Sequence, residues 1–314
     1  MPSNPLNDPL FQPTLLRIAG LLLLATALIL TVERKNLSRW RESVLFQRVS
    51  SWAMMAPVFA ASVFARGAVS LALVGFMTIQ GVREFGQLVK LQPAYRRALM
   101  GYGLFALLVT AWWGHRFFLF MPIGFFAVAT LVPLFRLSRH GGDARPELMQ
   151  AAAAVLGYMW IPLFLSFFVL IGRTEKHAVA ILLLIGFSVA LSDVIAFTMG
   201  KLLRGPKVSP AVSPNKTYAG LAGNLIGAFA GFALMGFAIP PEFSSATRWT
   251  LPVFIGLGAA WGDLVESLVK RGFLVKDAGD MLPGFGGLLD RIDSLLVVMP
   301  FAYYAMKVMQ HYTT

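Results

Sequence analysis

The 314-residue sequence contains no cysteine, only four histidines and few charged residues. The absence of cysteine excludes disulfide bonds, thiolate catalysis and metal sites with cysteine ligands. The histidines, at positions 115, 140, 177 and 311, are isolated from one another, so a metal site built from histidine is not expected. Asp, Glu, Lys and Arg make up 13% of the chain, whereas a soluble domain has about 25%. The composition therefore excludes an ordinary soluble domain.

Long apolar runs account for most of the sequence, which is 57% hydrophobic with a mean hydropathy of +0.69. A helix needs about 20 apolar residues to cross a bilayer. By this measure we expect ten spans, several of them short, at 14–32, 52–65, 68–82, 98–112, 117–135, 150–171, 178–200, 219–238, 249–266 and 294–312. The predicted fold is an all-α integral membrane protein, a polytopic bundle of about 9–10 transmembrane helices.

The basic residues are concentrated on one side of the predicted spans. Five alternate loops hold 20 of the 27 Lys and Arg residues: 33–51, 83–97, 136–149, 201–218 and 267–293. Because basic residues stay on the cytosolic side of a membrane, we expect these loops to face the cytosol. The first two loops share a side only if 52–82 forms a short hairpin that turns around Arg66 and Gly67. Topology thus explains the net charge of +12, and no nucleic-acid partner is expected.

Acidic residues are rare, 15 in all, and they are concentrated near the last of these loops. Six of them lie within 31 positions: Asp263, Glu266, Asp277, Asp280, Asp290 and Asp293. A seventh, Asp193, lies inside an apolar run. Acidic groups are costly at membrane depth, and their presence there usually indicates function. For Asp193 two interpretations stay open: an acid of the site, or a buried acid paired with Lys201.

Two segments are predicted to gather these acids. If the ninth span stays helical to its end, one stripe of that helix carries Asp263, Glu266, Ser267 and Lys270. If the last span starts near Leu288, then Asp290 and Asp293 are neighbours in its first turn. The simpler interpretations are an ion pair between Glu266 and Lys270 and a helix cap. Several carboxylates without cysteine or histidine are the ligand set of a hard cation, so we expect Mg²⁺ rather than Zn²⁺.

The segment 200–224 is basic and rich in hydroxyl groups, and it leads into a glycine-rich span. Its bases are Lys201, Arg204, Lys207 and Lys216, and its hydroxyl groups belong to Ser209, Ser213 and Thr217. We predict a helix that begins near Tyr218, and the N–H groups at a helix N-terminus suit a phosphate. The alternative is a loop that sets topology and binds nothing. Together with the acids on the same side, the segment indicates metal-assisted phosphoryl or nucleotidyl transfer to a lipid.

The residues from 267 to 293 resemble the signature of the phosphatidate cytidylyltransferases, also called CDP-diacylglycerol synthases. The matching pattern is Ser267-x-Val269-Lys270-Arg271-x4-Lys276-Asp277-x-Gly279-x2-Leu282-Pro283-x2-Gly286-Gly287-Leu288-x-Asp290-Arg291-Ile292-Asp293. Upstream, Ser192-Asp193 and Ser213-Pro214-Asn215-Lys216-Thr217 resemble the S-D-T and S-P-K-K-T elements of that family. The resemblance implies a catalytic region at 178–314, and it leaves 1–177 as a scaffold of transmembrane helices with a possible role in dimerisation.

The resemblance implies a reaction in which phosphatidate and CTP give CDP-diacylglycerol and pyrophosphate, as a step of phospholipid biosynthesis. It implies Mg²⁺ held by Asp263 and Asp290, with a second cation as an open alternative. The catalytic set it implies is Asp263, Asp290, Lys270, Arg271, Asp277, Arg291 and Asp293. The substrate contacts it implies are Asp193, Ser213, Asn215, Lys216, Thr217, Ser267, Lys276, Gly286 and Gly287. It also suggests a homodimer among the lipids of a bacterial inner membrane, with the active site facing the cytosol.

Three positions depart from the family pattern. Phe285 stands where His is usual, Asn215 replaces the first Lys of S-P-K-K-T, and Ala219 replaces an acid. These departures leave open a different lipid phosphate as the acceptor, or a changed nucleotide preference. The remaining alternatives are a CTP-dependent lipid kinase, an inactive paralogue and a transporter.

Overall fold

The computed structural model describes residues 4–32, 44–275, 279 and 286–311, and it shows an all-α bundle of an integral membrane protein. The helices are α1 (Phe11–Val32), α2 (Val44–Ala65), α3 (Gly67–Leu88), α4 (Pro93–Trp113), α5 (His115–Phe118), α6 (Phe120–His140), α7 (Ala144–Tyr158), α8 (Phe164–Thr174), α9 (Ala178–Leu203), α10 (Tyr218–Leu234), α11 (Ser245–Gly272) and α12 (Leu289–His311). A π-helical turn at Met159–Leu163 joins α7 to α8, so that Ala144–Thr174 forms one continuous rod. Within the described ranges, six helices are long and apolar enough to cross a membrane.

The predicted spans coincide with helices throughout the described chain. Each of the ten predicted runs lies mainly on one of the longer helices or on the α7–α8 rod, although 117–135 starts in α5 and 219–238 extends past the end of α10. The predicted turn between the second and third spans is also present, because α2 ends at Ala65 and α3 begins at Gly67. Arg66 between them has φ 55°. The two helices have 22 residues each, so this hairpin is longer than the short one expected from the sequence.

One end of the bundle, called here the far end, is held by polar contacts between helix termini. The start of α1 and the turn at Arg66 meet there, as do the ends of α8 and α10 and the start of α11. The contacts are Arg66 Nη2 to Asp8 Oδ2 (3.1 Å), Arg17 Nε to Leu234 O (2.7 Å), Arg173 Nη1 to Ala111 O (2.7 Å), Lys176 Nζ to Glu242 Oε1 (2.9 Å) and Lys307 Nζ to Glu175 Oε1 (2.7 Å).

The opposite end, called here the basic end, gathers the described parts of loops 83–97, 136–149, 201–218 and 267–293. Direct contacts join these loops or the helix ends beside them. They are Gln92 N to Gln150 Oε1 (2.8 Å), Tyr95 Oη to Glu147 Oε2 (2.7 Å), Leu288 N to Glu84 Oε1 (2.9 Å) and Lys216 Nζ to Asp263 Oδ2 (2.6 Å). The loops that the charge pattern grouped together therefore lie at one end of the fold. Most of loop 33–51 falls outside the described residues.

A row of glycines lets α10 pack directly against the backbone of α9. A Cβ atom added at Gly223 would lie 2.8 Å from Cα of Ala196, and one added at Gly227 would lie 2.6 Å from Cα of Ser192. Real Cβ atoms do not approach other atoms so closely. Small residues at the contact of two membrane helices permit this close packing. The two helices therefore form one tightly packed pair.

A short β-hairpin connects this pair at the basic end. Strand β1 (Lys207–Ser209) pairs antiparallel with β2 (Ser213–Thr217), with Lys207 opposite Thr217 and Ser209 opposite Ser213. The sequence interpretation treats this segment as a loop, so the two-stranded sheet is an addition to the predicted all-α fold. Since β2 runs directly into α10, the hairpin fixes where that helix begins.

Candidate active site

Three carboxylates from two helices form an acidic cluster below the basic end. Asp263 and Glu266 lie one turn apart on α11, and Asp293 lies in the first turns of α12; one oxygen of each lies within 4.8 Å of the others. The Asp263 side chain is 44% exposed, whereas the Glu266 side chain is 4% exposed and Asp293 is buried. The cluster thus reaches from the surface of the bundle into its interior.

Gly262 explains how α11 and α12 come close enough to form this cluster. A Cβ atom added there would lie 2.9 Å from Cα of Ser294 and would also overlap the carbonyl of Asp293. The element that approaches the backbone of α11 here is the start of α12.

Two lysines neutralise part of the acidic charge. Lys216, at the end of β2, lies 2.6 Å from Asp263 Oδ2. The ammonium group of Lys270 donates to Glu266 Oε2 at 2.7 Å and to Asp290 Oδ1 at 2.8 Å. The predicted Glu266–Lys270 pair is therefore present, but it is part of a larger network. Asp290 joins the cluster through Lys270 and lies outside the group of three acids that could hold a metal ion.

The segment before α12 orients Asp290. Gly286 has φ +81°, a backbone conformation that side chains disfavour. The N–H of Gly287 donates to Asp290 Oδ2 at 2.7 Å, which closes a tight turn at the helix start. The last span was expected at 294–312, and α12 begins earlier, at Leu289, which meets the condition under which Asp290 and Asp293 are neighbours at its start.

Helix α9 supplies a further acid to the same region. Asp193 Oδ1 accepts a hydrogen bond from the hydroxyl of Ser294 at 3.1 Å. Lys201, the alternative partner considered for this acid, lies over the ring of Phe197 at 5.8 Å. The contact with Ser294 therefore brings Asp193 towards α12 and the acidic cluster.

The predicted helix N-terminus is also in place. Thr217 caps α10, and its Oγ1 accepts a hydrogen bond from the N–H of Gly220 at 3.1 Å. Ser213 is buried within the hairpin, whereas Asn215 is exposed. Because Lys216 directly precedes the capping residue, its charge and the start of α10 lie on the same side of the acidic cluster.

The remaining predicted residues are placed less specifically. Arg291 is half-buried in the first turn of α12, and Ser267 is half-buried on α11. Arg271 is exposed at the end of α11. Lys276 and Asp277, together with the departure at Phe285, lie outside the described residues. The roles assigned to these side chains stay predictions.

The donor set of the cluster fits a hard divalent cation. Five carboxylates face three cationic side chains there, which leaves a formal charge of −2 when all are ionised: Asp193, Asp263, Glu266, Asp290 and Asp293 against Lys216, Lys270 and Arg291. Within the described part of the chain, Glu266 Oε1 is buried and makes no hydrogen bond. Carboxylate oxygens are the ligands that Mg²⁺ prefers. Glu266 is absent from the predicted metal ligands, although its spacing from Asp263 placed it on the same helix stripe.

A buried acid from the N-terminal half also contacts this region and was not predicted. Glu84 of α3 accepts hydrogen bonds from the N–H groups of Leu288 and Leu289, at 2.9 and 2.7 Å. The region that orients Asp290 is therefore built from both halves of the chain.

The fold and the site together define an integral membrane protein with a carboxylate and lysine centre at one end of its helix bundle. A model described as the cytidylyltransferase family matches residues 46–309. The chain belongs to the cytidylyltransferase family, which confirms the family suggested by the motifs.

Individual relatives match mainly in part of their length. A phosphatidate cytidylyltransferase of Bacillus subtilis is 32% identical over 151 residues, which cover 48% of this chain and 56% of the relative. One of Brucella abortus is 40% identical over 115 residues, 36% of this chain and 41% of the relative. The uncharacterized protein YnbB of Escherichia coli is 34% identical over 198 residues, 61% of this chain and 63% of the relative. The chain thus spans about half the length of the curated relatives it matches.

Proposed function

We propose that the protein transfers a cytidylyl group from CTP to phosphatidate and releases pyrophosphate, giving CDP-diacylglycerol for phospholipid biosynthesis. The observation that supports this most strongly is the acidic cluster of Asp263, Glu266 and Asp293, with Lys216 at its exposed edge. Relatives named phosphatidate cytidylyltransferase support the same reaction. A cluster that is partly exposed and partly buried in a membrane bundle suits a reaction between a water-soluble nucleotide and a lipid.

In the proposed reaction an oxygen of the phosphatidate phosphate attacks the α-phosphorus of CTP. The bond from that phosphorus to the bridging oxygen of the β-phosphate breaks, and pyrophosphate leaves with the bridging oxygen. Bound Mg²⁺ would neutralise negative charge on the triphosphate as the bonds change. Asp263, Glu266 and Asp293 would hold it, and we retain Asp290 as a further predicted ligand.

The basic side chains would bind phosphate groups. Lys216 lies beside the N-terminus of α10, where the helix dipole favours an anion. Lys270 lies between Glu266 and Asp290, so it would hold these acids in place and stabilise charge on the leaving group. We assign Arg271, Lys276 and Arg291 to the same electrostatic role.

We further propose that the basic end faces the cytosol of a bacterium, in its inner membrane. This end carries most of the Lys and Arg residues of the described loops, in agreement with the retention of basic residues on the cytosolic side. CTP would then reach the cluster from the cytosol.

The test is a purified-protein assay with phosphatidate and CTP that carries the label in either the α- or the γ-phosphate. Nucleotidyl transfer puts the α-label into the lipid, whereas a CTP-dependent kinase would put the γ-label there. The α-label is expected in the lipid only with Mg²⁺, and Asp290→Asn is expected to abolish it. Parallel reactions with dCTP and with other lipid phosphates identify a changed nucleotide or acceptor preference. Absence of α-label from every lipid phosphate offered would refute the proposal.

A further inference from the structure

The first turn of α12 is held by a side chain from α3, some two hundred positions earlier in the chain. Glu84 is 2% exposed, and both of its carboxylate oxygens are used. Oε1 accepts from the N–H of Leu288 at 2.9 Å, and Oε2 accepts from the N–H of Leu289 at 2.7 Å. The side chain of Gln80, one turn earlier on α3, donates to Oε1 at 2.7 Å. Three donors therefore fix the orientation of this carboxylate.

This arrangement satisfies two groups that would each be costly if buried alone. The first N–H groups of a helix have no partner within the helix, and they carry partial positive charge. A buried carboxylate is equally costly without donors. Glu84 and the start of α12 satisfy each other, so a shift of either leaves the N–H groups of Leu288 and Leu289 without this acceptor and leaves the carboxylate with Gln80 as its remaining donor. The contact is consequently a strong constraint on where α12 begins.

Two glycines that precede α12 also lie close to Glu84. A Cβ atom added at Gly279 would lie 3.0 Å from Glu84 Cγ, and one added at Gly287 would lie 2.7 Å from Glu84 Cδ. Both glycines belong to the motif that resembles the family signature. Their lack of a side chain therefore makes room for the Glu84 carboxylate, an observation independent of its hydrogen bonds.

The residues held in this way are next to the proposed catalytic acids. Asp290 follows Leu289 directly, and its carboxylate accepts the N–H of Gly287 in the same turn. Asp293 lies one turn further and completes the acidic cluster. We propose that Glu84 is a positioning residue, which acts through the first turn of α12 to place Asp290 and Asp293 beside α11. This inference rests on the proposed function only in that it assigns the cluster a role in cation binding and catalysis.

The test compares Glu84→Gln with the control Glu147→Gln in the purified full-length protein. Glutamine offers one acceptor oxygen, and its NH₂ group would face a backbone N–H. Glu147 is a matched control because it is also a poorly exposed acid at the basic end, 12% exposed, and it bonds Tyr95 and Arg136 rather than α12. Thermal unfolding in detergent reports the stability of each variant. The rate of cytidylyl transfer and the affinity for Mn²⁺ both depend on the geometry of the acidic cluster. Mn²⁺ affinity is measured by electron paramagnetic resonance, and the Asp263→Asn variant shows which part of the Mn²⁺ signal comes from the cluster.

We expect Glu84→Gln to lower kcat and the Mn²⁺ affinity about 10- to 100-fold, as loss of an outer partner of a metal site does. Glu84→Asp keeps the charge and should recover part of both. Glu147→Gln should leave both within about twofold, whatever its effect on stability. Should Glu84→Gln not fold, Gly279→Ala replaces it, since the added methyl group presses on the Glu84 side chain.

Two results would overturn the inference. One is a Glu84→Gln protein whose kcat and Mn²⁺ affinity match those of Glu147→Gln. The other is a loss of Mn²⁺ affinity that, in both Glu84→Gln and Glu147→Gln, is in proportion to the loss of thermal stability. If the wild type transfers no cytidylyl group while Glu84→Gln still weakens Mn²⁺ binding, the proposed function fails and the positioning role stands.

Discussion

The ammonium group of Lys216 lies 2.6 Å from the carboxylate of Asp263, which joins the β-hairpin to the exposed edge of the acidic cluster. The contact places a base from one predicted element directly against an acid from another. It also means that a phosphate bound by Lys216 would lie next to a cation held by Asp263. The relationship between these two residues is therefore central to the proposed transfer reaction.

Replacement of Lys216 should lower the catalytic efficiency of the protein with CTP. Lys216→Met removes a positive charge beside the start of α10, and we expect kcat/KM for CTP to fall about 100-fold, as loss of a group that stabilises developing charge does. Lys90→Met is the control, since Lys90 is an exposed lysine of another loop at the same end. Steady-state assays at varied CTP and fixed phosphatidate measure the effect. Equal values for the two variants would show that Lys216 does not contact the nucleotide.

Single amide replacements should rank the carboxylates as cation ligands. Glu266→Gln and Asp293→Asn each replace a carboxylate of the cluster of three by an amide. Asp290→Asn replaces the carboxylate that is bound to Lys270. We expect each of the first two to raise the Mg²⁺ concentration for half-maximal activity about 10-fold or more. Glu175→Gln at the far end serves as the control. If Glu266→Gln and Asp293→Asn both leave the Mg²⁺ dependence unchanged, the cluster of three is not the cation site.

Gly262→Ala should damage the site through its backbone. The added methyl group would overlap the carbonyl of Asp293 and force α11 and α12 apart. We expect a loss of about 1–3 kcal/mol of stability, as for overpacked sites, together with a marked loss of activity. Gly101→Ala is the control, because nothing lies within 4 Å of an added Cβ there. Thermal unfolding and the transfer assay measure both effects, and a fully active Gly262→Ala protein would contradict the observed packing.

At the far end, Glu242 should make stability depend on acid pH. Hydrogen bonds from Lys176 and His177 lower the pKa of Glu242 from 4.5 to about 2. Because the pKa is lower in the folded protein, the stabilisation is present above pH about 4.5 and is lost as the pH falls towards 2.

The measurement compares the melting temperatures of the wild type and Glu242→Gln between pH 6 and 2. We expect the wild type to melt slightly higher at pH 6 and the difference to vanish near pH 2. High salt should reduce the difference, because the groups are exposed. A difference that does not change with pH would show that this carboxylate is not stabilised by its neighbours.

Much of the fold could be predicted because the thickness of the bilayer sets the length of a transmembrane helix, and because the basic residues indicate which loops lie on the same side. The turn at Arg66 followed from these two constraints alone. The hairpin of β1 and β2 did not, because strands of 3 and 5 residues are too short to show an alternating pattern. They form because Lys207 and Ser209 find partners across a turn, which the sequence does not reveal.

In the candidate site, too, contacts near helix ends could be predicted from the sequence, whereas a contact between residues far apart in the chain could not. Asp263 and Asp293 could be predicted to meet because both lie near the ends of helices on the same side. The contribution of Glu84 could not, since 204 positions separate it from Leu288. The predicted third span ended at 82, which placed Glu84 in a loop. The extension of α3 to Leu88 is what buries it.

The glycine row between α9 and α10 has a consequence for how substrates are distinguished. Two helices in backbone contact resist sliding or separation, and both strands of the hairpin are attached to them. Lys216 is then kept in a nearly fixed position between the start of α10 and Asp263. We expect the protein to select anionic groups by how well they fit beside this fixed lysine.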